Sequence, residues 1–293
     1  MKVLSFGSLN IDLLFSVDHI ALPGETISSV SFARSAGGKG ANQAAALAKA
    51  GLPVYMAGKI GKDGLFLLEL LESYGVNTDY VIQYEGATGQ AVIQIDKNGQ
   101  NSIVLFSGGN GEITIEEIEK IIAQFSSTDI IVLQNEIVHI DHIIKTAKNK
   151  GIRICFNPSP FDEKIFSLPL ESVNWLFVNE IEGAALAGFS QPSYNAAIDR
   201  LTENFPETEI ILTAGKDGAF YGCGKKRISC EIVKTPVIDT TAAGDTFTGF
   251  FLAAREKDMS VSQSLAAAGK AASITVSRKG AMESIPYANE VFY

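Results

Sequence analysis

Short, largely apolar runs alternate along this chain with stretches of helical periodicity, and that alternation constrains the fold more than any other feature. Val3–Phe6, Val54–Ala57, Ile130–Leu133, Ile152–Phe156, Trp175–Val178 and Ile210–Thr213 show no regular polar face. A strand without a polar face must be covered on both sides, as in a parallel sheet between helical layers. Helical patterns at Ala41–Ala50, Leu65–Tyr74, Ile115–Gln124, Asp141–Lys150, Glu180–Leu186 and Ser193–Glu203 fall between the runs. The β-α-β rhythm predicts an α/β class: a doubly wound, mostly parallel sheet sandwiched by helices, with residues 1–293 as a single domain.

Two stretches break the rhythm. Ile11–Ala36 carries Pro23-Gly24 at its middle and no helical repeat. Val81–Phe106 holds two extended segments, Ala91–Asp96 and Asn101–Phe106, around Lys97-Asn98-Gly99-Gln100, and Asn-Gly is a hairpin signal. They predict a small β-sheet lid, formed by about residues 11–36 and 81–106, beside the ligand edge of the main sheet, where it would exclude water. The stretch Ile232–Ile238 reads as one further strand.

Charge and cysteine content narrow the function. Lys plus Arg number 24 against 33 Asp plus Glu, a formal charge of −9. A net acidic chain is poorly suited to a bulk electrostatic grip on nucleic acid or anionic lipid, so neither is expected as a partner. No run approaches a membrane span, and Gly7, Ser8, Asn10 and Asp12 interrupt any export signal, so a cytoplasmic protein is expected. The three cysteines, Cys155, Cys223 and Cys230, lack metal-ligand spacing. Reduced thiols are the simple reading, and a Cys223–Cys230 pair across a hairpin is the alternative. His139 and His142, spaced i, i+3 without a third ligand, read as a solvated helix face.

The densest chemistry lies in Asp239-Thr-Thr-Ala-Ala-Gly-Asp-Thr-Phe-Thr-Gly249, which opens a helix. Ala242, Ala243 and Gly244 let the backbone approach a ligand, and the free N–H groups of a first helical turn make an anion hole. Asp245 in that hole suits a base that takes a hydroxyl proton as the oxygen attacks a phosphoryl group. An N-cap aspartate in a tight turn is the competing reading. Ala36-Gly-Gly-Lys-Gly-Ala-Asn-Gln43 opens another helix without Walker A spacing. Its Gly38, Lys39 and Asn42 suit sugar hydroxyls, against the plainer reading of a glycine-rich cap. Asn10 and Asp12 share one side of an extended segment, where an amide and a carboxylate match vicinal hydroxyls, although a turn is the commoner explanation.

Taken in order, these segments resemble the ribokinase family, the PfkB carbohydrate kinases. The resemblance runs from Gly7 to about Pro286 and takes in Asn10 and Asp12, Gly37-Gly38-Lys39-Gly40-Ala41-Asn42, Gln134-Asn135-Glu136, Asn157-Pro158-Ser159-Pro160, Asn179-Glu180-Ile181-Glu182, Thr213-Ala214-Gly215, Asp239 to Asp245, and Arg278-Lys279-Gly280-Ala281. Within the family the boxes are most similar to the ribokinase branch. The resemblance implies an ATP-dependent kinase acting on the primary hydroxyl of a small sugar, D-ribose to ribose 5-phosphate. Asn10, Asp12, Gly38, Lys39, Asn42 and Glu136 would hold the sugar, with Asp245 as base and Ala242, Ala243 and Gly244 as anion hole. Asn179 and Glu182 would support Mg²⁺ and the phosphates, and Thr213, Gly215, Gly218 and Gly244 the nucleotide. Asp239, Thr241, Thr275, Arg278, Gly280 and Ser284 would surround a monovalent cation, K⁺, mostly through carbonyl oxygens. A homodimer through the lid is also implied, with the edges Val92–Ile95 and Ile103–Phe106 pairing between subunits.

Departures from the family pattern are few. Gln-Asn-Glu stands where an apolar residue often precedes the glutamate, Thr275 replaces a small apolar residue, and the chain stops soon after Pro286-Tyr287, where many relatives carry a further helix that is expected to be missing here. The rivals are a fructokinase-like, deoxyribose or nucleoside kinase of the same family, a non-catalytic sugar or nucleotide sensor, and a dinucleotide oxidoreductase. A nucleoside kinase would stack a base on lid aromatics, for which Phe15, Phe32 and Phe106 are the candidates. A sensor would be expected to lose the base or the anion hole, and the oxidoreductase reading lacks a G-x-G-x-x-G turn after the first strand.

Overall fold

The structure, a computed structural model, describes residues 1–191 and 193–293. Its strands are β1 Val3–Phe6, β2 Asn10–Ser16, β3 Ser31–Gly37, β4 Val54–Ile60, β5 Asn77–Gln83, β6 Gly89–Ile95, β7 Asn101–Phe106, β8 Ile130–Gln134, β9 Arg153–Asn157, β10 Trp175–Asn179, β11 Glu209–Thr213, β12 Ala219–Cys223 and β13 Lys226–Cys230. Its helices are α1 Lys39–Lys49, α2 Leu65–Ser73, α3 Ile115–Ile122, α4 Ile140–Asn149, α5 Glu180–Leu186, α6 Tyr194–Asn204, α7 Ala243–Arg255, α8 Val261–Val276 and α9 Ala288–Val291. The order in the large sheet is β13-β12-β11-β10-β9-β8-β1-β4-β5, and in the small one β3-β2-β6-β7. The large sheet is parallel except for β12 and β13.

The apolar runs behave as their patterning requires. Along β8, Ile130 and Val132 pack into a core beneath α1, α7 and α8, while Ile131 and Leu133 enter a second core beneath α3, α4 and α6. All four are fully buried, because successive side chains leave opposite faces of a sheet that helices cover on both. Helix starts are defined locally: Thr114 with Glu117 caps α3, and Ser260 with Gln263 caps α8, each pair satisfying otherwise orphaned N–H groups.

Several expectations need correction. Ile232–Ile238 is not a strand; it is an irregular, mostly exposed segment. Pro236 removes one N–H from any ladder there, and the Ile238 N–H turns to Val276 O at 2.7 Å. Residues 81–83 belong to β5 at the edge of the large sheet and not to the small one, because β5 continues the parallel ladder from β4. Val92–Ile95 lies inside β6, which β2 and β7 flank, so the free edges of the small sheet are β3 and β7. Cys223 and Cys230 do not face each other. Cys223 is opposite Lys226 and Cys230 opposite Ala219, at the two ends of the β12–β13 hairpin. All three thiols are free.

Helices α1 and α7, which cover the same face of the sheet, meet at close quarters. A Cβ on Gly249 of α7 would lie 2.6 Å from Ala46 Cβ and 2.9 Å from Leu47 N of α1. Likewise a Cβ on Gly40 would lie 2.5 Å from Gly7 C, where the chain leaves β1. These glycines let α1 sit against both β1 and α7 at backbone distance. Gly249→Ala is therefore expected to force the helices apart and destabilise the fold by about 1–3 kcal/mol. Urea unfolding measures it, and an unchanged midpoint would mean that the helices separate without cost.

Candidate active site

The carboxyl ends of β1, β8, β9, β10 and β11 open onto one cleft. From β1 the chain goes outward to β4 and β5, while β8 to β13 run the opposite way from the other side of β1. The reversal of strand order at β1–β8 makes a crevice, and such switch points are where open α/β sheets bind ligands. Two cavities occupy it, of about 710 Å³ and about 310 Å³. Both are lined by Thr213, Thr240, Ala243 and Gly244, so they meet at the first turn of α7.

The larger cavity is polar at its floor. Asp245 is 7% exposed; its Oδ2 accepts from Asn42 Nδ2 at 3.2 Å and its Oδ1 from Gln43 Nε2 at 2.9 Å. Glu136 Oε2 accepts from the Lys39 N–H at 3.0 Å and from the Ser8 hydroxyl. Gly38, at φ 94°, makes the turn that brings Lys39 here, and a Cβ there would sit 2.8 Å from Ser8 O. Asn10 Oδ1 accepts from Asn110 Nδ2 at 2.7 Å, while Asn110 Oδ1 takes the Leu9 N–H at 3.0 Å. Asn42 Oδ1 is buried with no partner among the described residues, which leaves an acceptor for a hydroxyl donor. The roof is apolar: Leu14, Ile93, Ile95, Ile103 and Leu105 face the floor from the small sheet. Strand alternation puts Phe15, Phe32 and Phe106 on the opposite face, where Phe15 and Phe32 stack at 5.0 Å.

The α7 terminus is open toward the cleft. Ala242 adopts a left-handed conformation, φ 59°, which costs a non-glycine residue about 1–2 kcal/mol. Ala243 N–H reaches Thr240 O at 3.3 Å and Thr246 N–H reaches Ala242 O at 2.8 Å, whereas the N–H groups of Gly244 and Asp245 find no acceptor among the described residues. A Cβ on Gly244 would meet nothing within 4 Å, so no packing demand accounts for the glycine. It leaves room for a ligand against the N–H groups.

Asn179 and Glu182 form the capping box of α5: Asn179 Oδ1 accepts from Ile181 N and Glu182 N, and Glu182 Oε2 takes the Asn179 N–H at 3.0 Å. Both line the larger cavity. Thr213 borders both cavities, and Gly215 and Gly218 line the smaller one, an apolar slot closed by Val233, Val237, Phe247, Leu265 and Val276.

Asp239, Thr241 and Gly280 reach the larger cavity together. Asp239 Oδ1 holds the Thr241 N–H and hydroxyl, and Oδ2 holds the Gly280 N–H at 3.1 Å. Burial opposes the Asp239 charge, but these donors and Lys279 outweigh it and keep its carboxyl below the usual aspartate range. The other expected cation-shell side chains point elsewhere: Arg278 to Glu290, Thr275 to the Thr246 hydroxyl, and Ser284 to Ala281 O. The carbonyl oxygens of Asp239, Thr241, Arg278, Gly280 and Ser284 accept no hydrogen bond among the described residues, so a carbonyl-lined cation site fits.

Ser8, Gln43, Asn110 and Gln134 lie behind the floor, bonded to Glu136, Asp245, Asn10 and Gln43 in turn, and were not singled out from sequence. Gln43 and Gln134 stood inside the quoted boxes, and their places next to Asn42 and two residues before Glu136 were the available signal. Burial works against the Lys39 charge, yet Asp245, Glu136 and Glu182 together raise its pKa above the ordinary lysine value.

Burial, with Glu136 adding to it, pushes the Asp12 carboxyl from 3.8 up to about 7. The folded chain thus holds this proton more tightly than the unfolded chain. The stability it contributes is complete below about pH 4 and is lost as pH rises through about 7. Asp12→Asn, neutral throughout, is expected to gain stability over the parent between pH 5 and pH 8. Equal urea-midpoint differences at both pH values would exclude a buried, proton-holding Asp12.

Known proteins of similar sequence share this fold. A ribokinase of Staphylococcus aureus (strain COL) is 34% identical over 99% of this chain and 98% of its own. The structure of a ribokinase from Cryptococcus neoformans var. grubii serotype A in complex with ADP superposes with TM-score 0.86 at 34% identity, covering 99% of this chain and 98% of that one. An Arabidopsis thaliana ribokinase complexed with ribose and ATP gives TM-score 0.87 at 31% identity, covering 99% and 97%. Residues 1–288 match the family described as pfkB family carbohydrate kinase, and the chain belongs to that family.

Proposed function

We propose that this ATP-dependent sugar kinase phosphorylates the primary hydroxyl of D-ribose, giving ribose 5-phosphate. One observation carries the reading: a braced carboxylate, Asp245, stands beside unused N–H groups where a polar cavity meets an apolar one. The apolar slot suits an adenine ring, and the polar floor suits a sugar. The α7 N–H groups between them suit a phosphoryl group in transit. Similarity to ribokinases, including one that holds ribose and ATP, makes ribose the first candidate.

Asn10, Asp12, Lys39, Asn42 and Glu136 hold the sugar hydroxyls in this proposal. Asp245 takes the proton of the attacking hydroxyl, while Ala242, Ala243 and Gly244 shape the turn whose N–H groups stabilise the developing charge. Mg²⁺, when bound, offsets charge on the phosphate oxygens; Glu182 keeps Oε1 free of its cap and Asn179 lies beside it, so the pair suits a water-mediated contact. K⁺ fits the free carbonyls of the 239–241 and 278–284 turns, which Asp239 ties together. The small sheet acts as lid, its apolar roof excluding water. A homodimer through the lid remains part of the proposal, now through the β7 edge, where Ile103 to Phe106 are each more than half exposed. An ATP-consuming kinase implies the cytoplasm, and no helix among the described residues is long and apolar enough to cross a membrane.

A nucleoside acceptor is disfavoured, because Phe15, Phe32 and Phe106 lie on the far face of the lid. Asp245→Asn is expected to lower kcat at least about 100-fold with both KM values within a few-fold; near-normal turnover would remove Asp245 as base. Asp12→Ala should raise the sugar KM far more than the ATP KM, and equal effects would place Asp12 elsewhere. The founding assay is ADP release with ribose, 2-deoxyribose, fructose, tagatose and nucleosides, with and without K⁺. Preference for ribose, stimulated by K⁺, is expected, whereas a better nucleoside substrate would overturn the sugar assignment.

A further inference from the structure

Gln43 makes more of the Asp245 carboxylate than any sugar contact would require. It is fully buried on α1 and donates from Nε2 to Asp245 Oδ1 at 2.9 Å. Its own Oε1 accepts from Gln134 Nε2, at the end of β8, at 2.7 Å. The second Nε2 hydrogen points toward Asn157 Oδ1, at the end of β9, at 3.5 Å, and Asn157 Nδ2 is held by Phe177 O of β10 at 2.9 Å. Each amide fixes the orientation of the next. Were Gln43 flipped, its oxygen would face the carboxylate and its nitrogen would face the Gln134 amide nitrogen, so the chain has one favourable arrangement.

From this geometry we infer that Gln43, locked by Gln134 and Asn157, is a positioning residue for Asp245 that reserves Oδ2 for the substrate proton. The inference rests on Asp245 being the base. An amide N–H can only donate, so a proton arriving on Oδ1 would break the Gln43 bond. Among the described residues Oδ2 receives only the longer Asn42 bond, which leaves it acceptor capacity on a residue that lines the cavity. In the transfer, the sugar O–H bond breaks and its proton goes to Oδ2. The freed oxygen bonds to the γ-phosphorus, and the bond from phosphorus to the bridging oxygen breaks with its electrons leaving on ADP. Gln43 keeps its donor on Oδ1 throughout and fixes the carboxylate plane at no reorganisation cost.

The test is a double-mutant cycle in the intact protein, with Gln43→Met, Asp245→Asn and the two combined. Gln43→Met is expected to lower kcat about 10- to 100-fold while the sugar and ATP KM values stay within about threefold. The charged groups around the carboxylate are Lys39 of α1, Glu136 after β8, Asp12 of β2 and Glu182 of α5, and no variant alters them. If Gln43 acts through Asp245, adding Gln43→Met to Asp245→Asn costs little more. Full additivity, or wild-type kcat in Gln43→Met, would overturn the inference. If Gln43→Met does not fold, Gln134→Leu enters the same cycle: it keeps the Asp245 partner but frees its amide to flip, so a smaller non-additive loss is expected, and additivity again overturns it. Undiminished turnover in Asp245→Asn alone would end the base assignment, and this inference with it. Failure of the cycle in an inactive Asp245→Asn background would end only the role of Gln43.

Discussion

The close approach of α1 to α7 is the contact on which the rest of the site depends. Asp245 and its partners Asn42 and Gln43 come from segments about two hundred residues apart, and hydrogen bonds of 2.9 and 3.2 Å between them tolerate little separation of the helices. Gly249 against Ala46, and Gly40 against Gly7, bring the backbones together. The run Ala44 to Ala46 adds no bulk to the α1 face. A larger residue at any of these places would act first on packing and then on proton transfer. Stability and catalysis are thus coupled at one interface, because interiors are close-packed and transmit small displacements.

Local satisfaction of polar groups and the presentation of a site are combined in the same residues. The Asn179–Glu182 pair ends a strand, starts a helix and still borders the cavity with one carboxylate oxygen outside the cap. Asp239 joins the turn before α7 to the segment after α8 through three accepted hydrogen bonds, which leaves backbone carbonyls as the available oxygens there. Ser8 lies between Gly40 N–H and Glu136, so the first β1 exit residues orient a carboxylate from the other side of the switch point. Such residues are poor candidates for substitution even where they would touch no substrate, since a cap alone contributes about 1 kcal/mol.

Much of the fold was legible because burial on both faces leaves a direct mark on composition. The six apolar runs became β1, β4, β8, β9, β10 and β11, with ends shifted by a few residues at most. Ile232–Ile238 carried the same mark without being a strand, because its apolar side chains line a cavity and do not fill a ladder position. Asn77–Gln83 was a strand without the mark, since a half-buried edge position permits Asn77, Thr78 and Asp79. The lid aromatics were ambiguous in sequence, and one register decides their face for all of them.

The sequence alone determined the class of fold, most of the helix starts, those of α8 and α9 excepted, and the residue types of the chemistry: glycines and small residues where a chain must turn against a ligand, and a carboxylate at the head of α7. These are properties of neighbours along the chain, and local geometry and burial write them into composition. Only the tertiary structure decided which amides hold the Asp245 carboxylate, that Arg278, Thr275 and Ser284 spend their side chains away from the cleft, and that Asp12 retains a proton to about pH 7. The reason is physical: hydrogen bonds across a core and the loss of hydration at a buried carboxylate depend on atoms remote in sequence, and no local pattern encodes their distances.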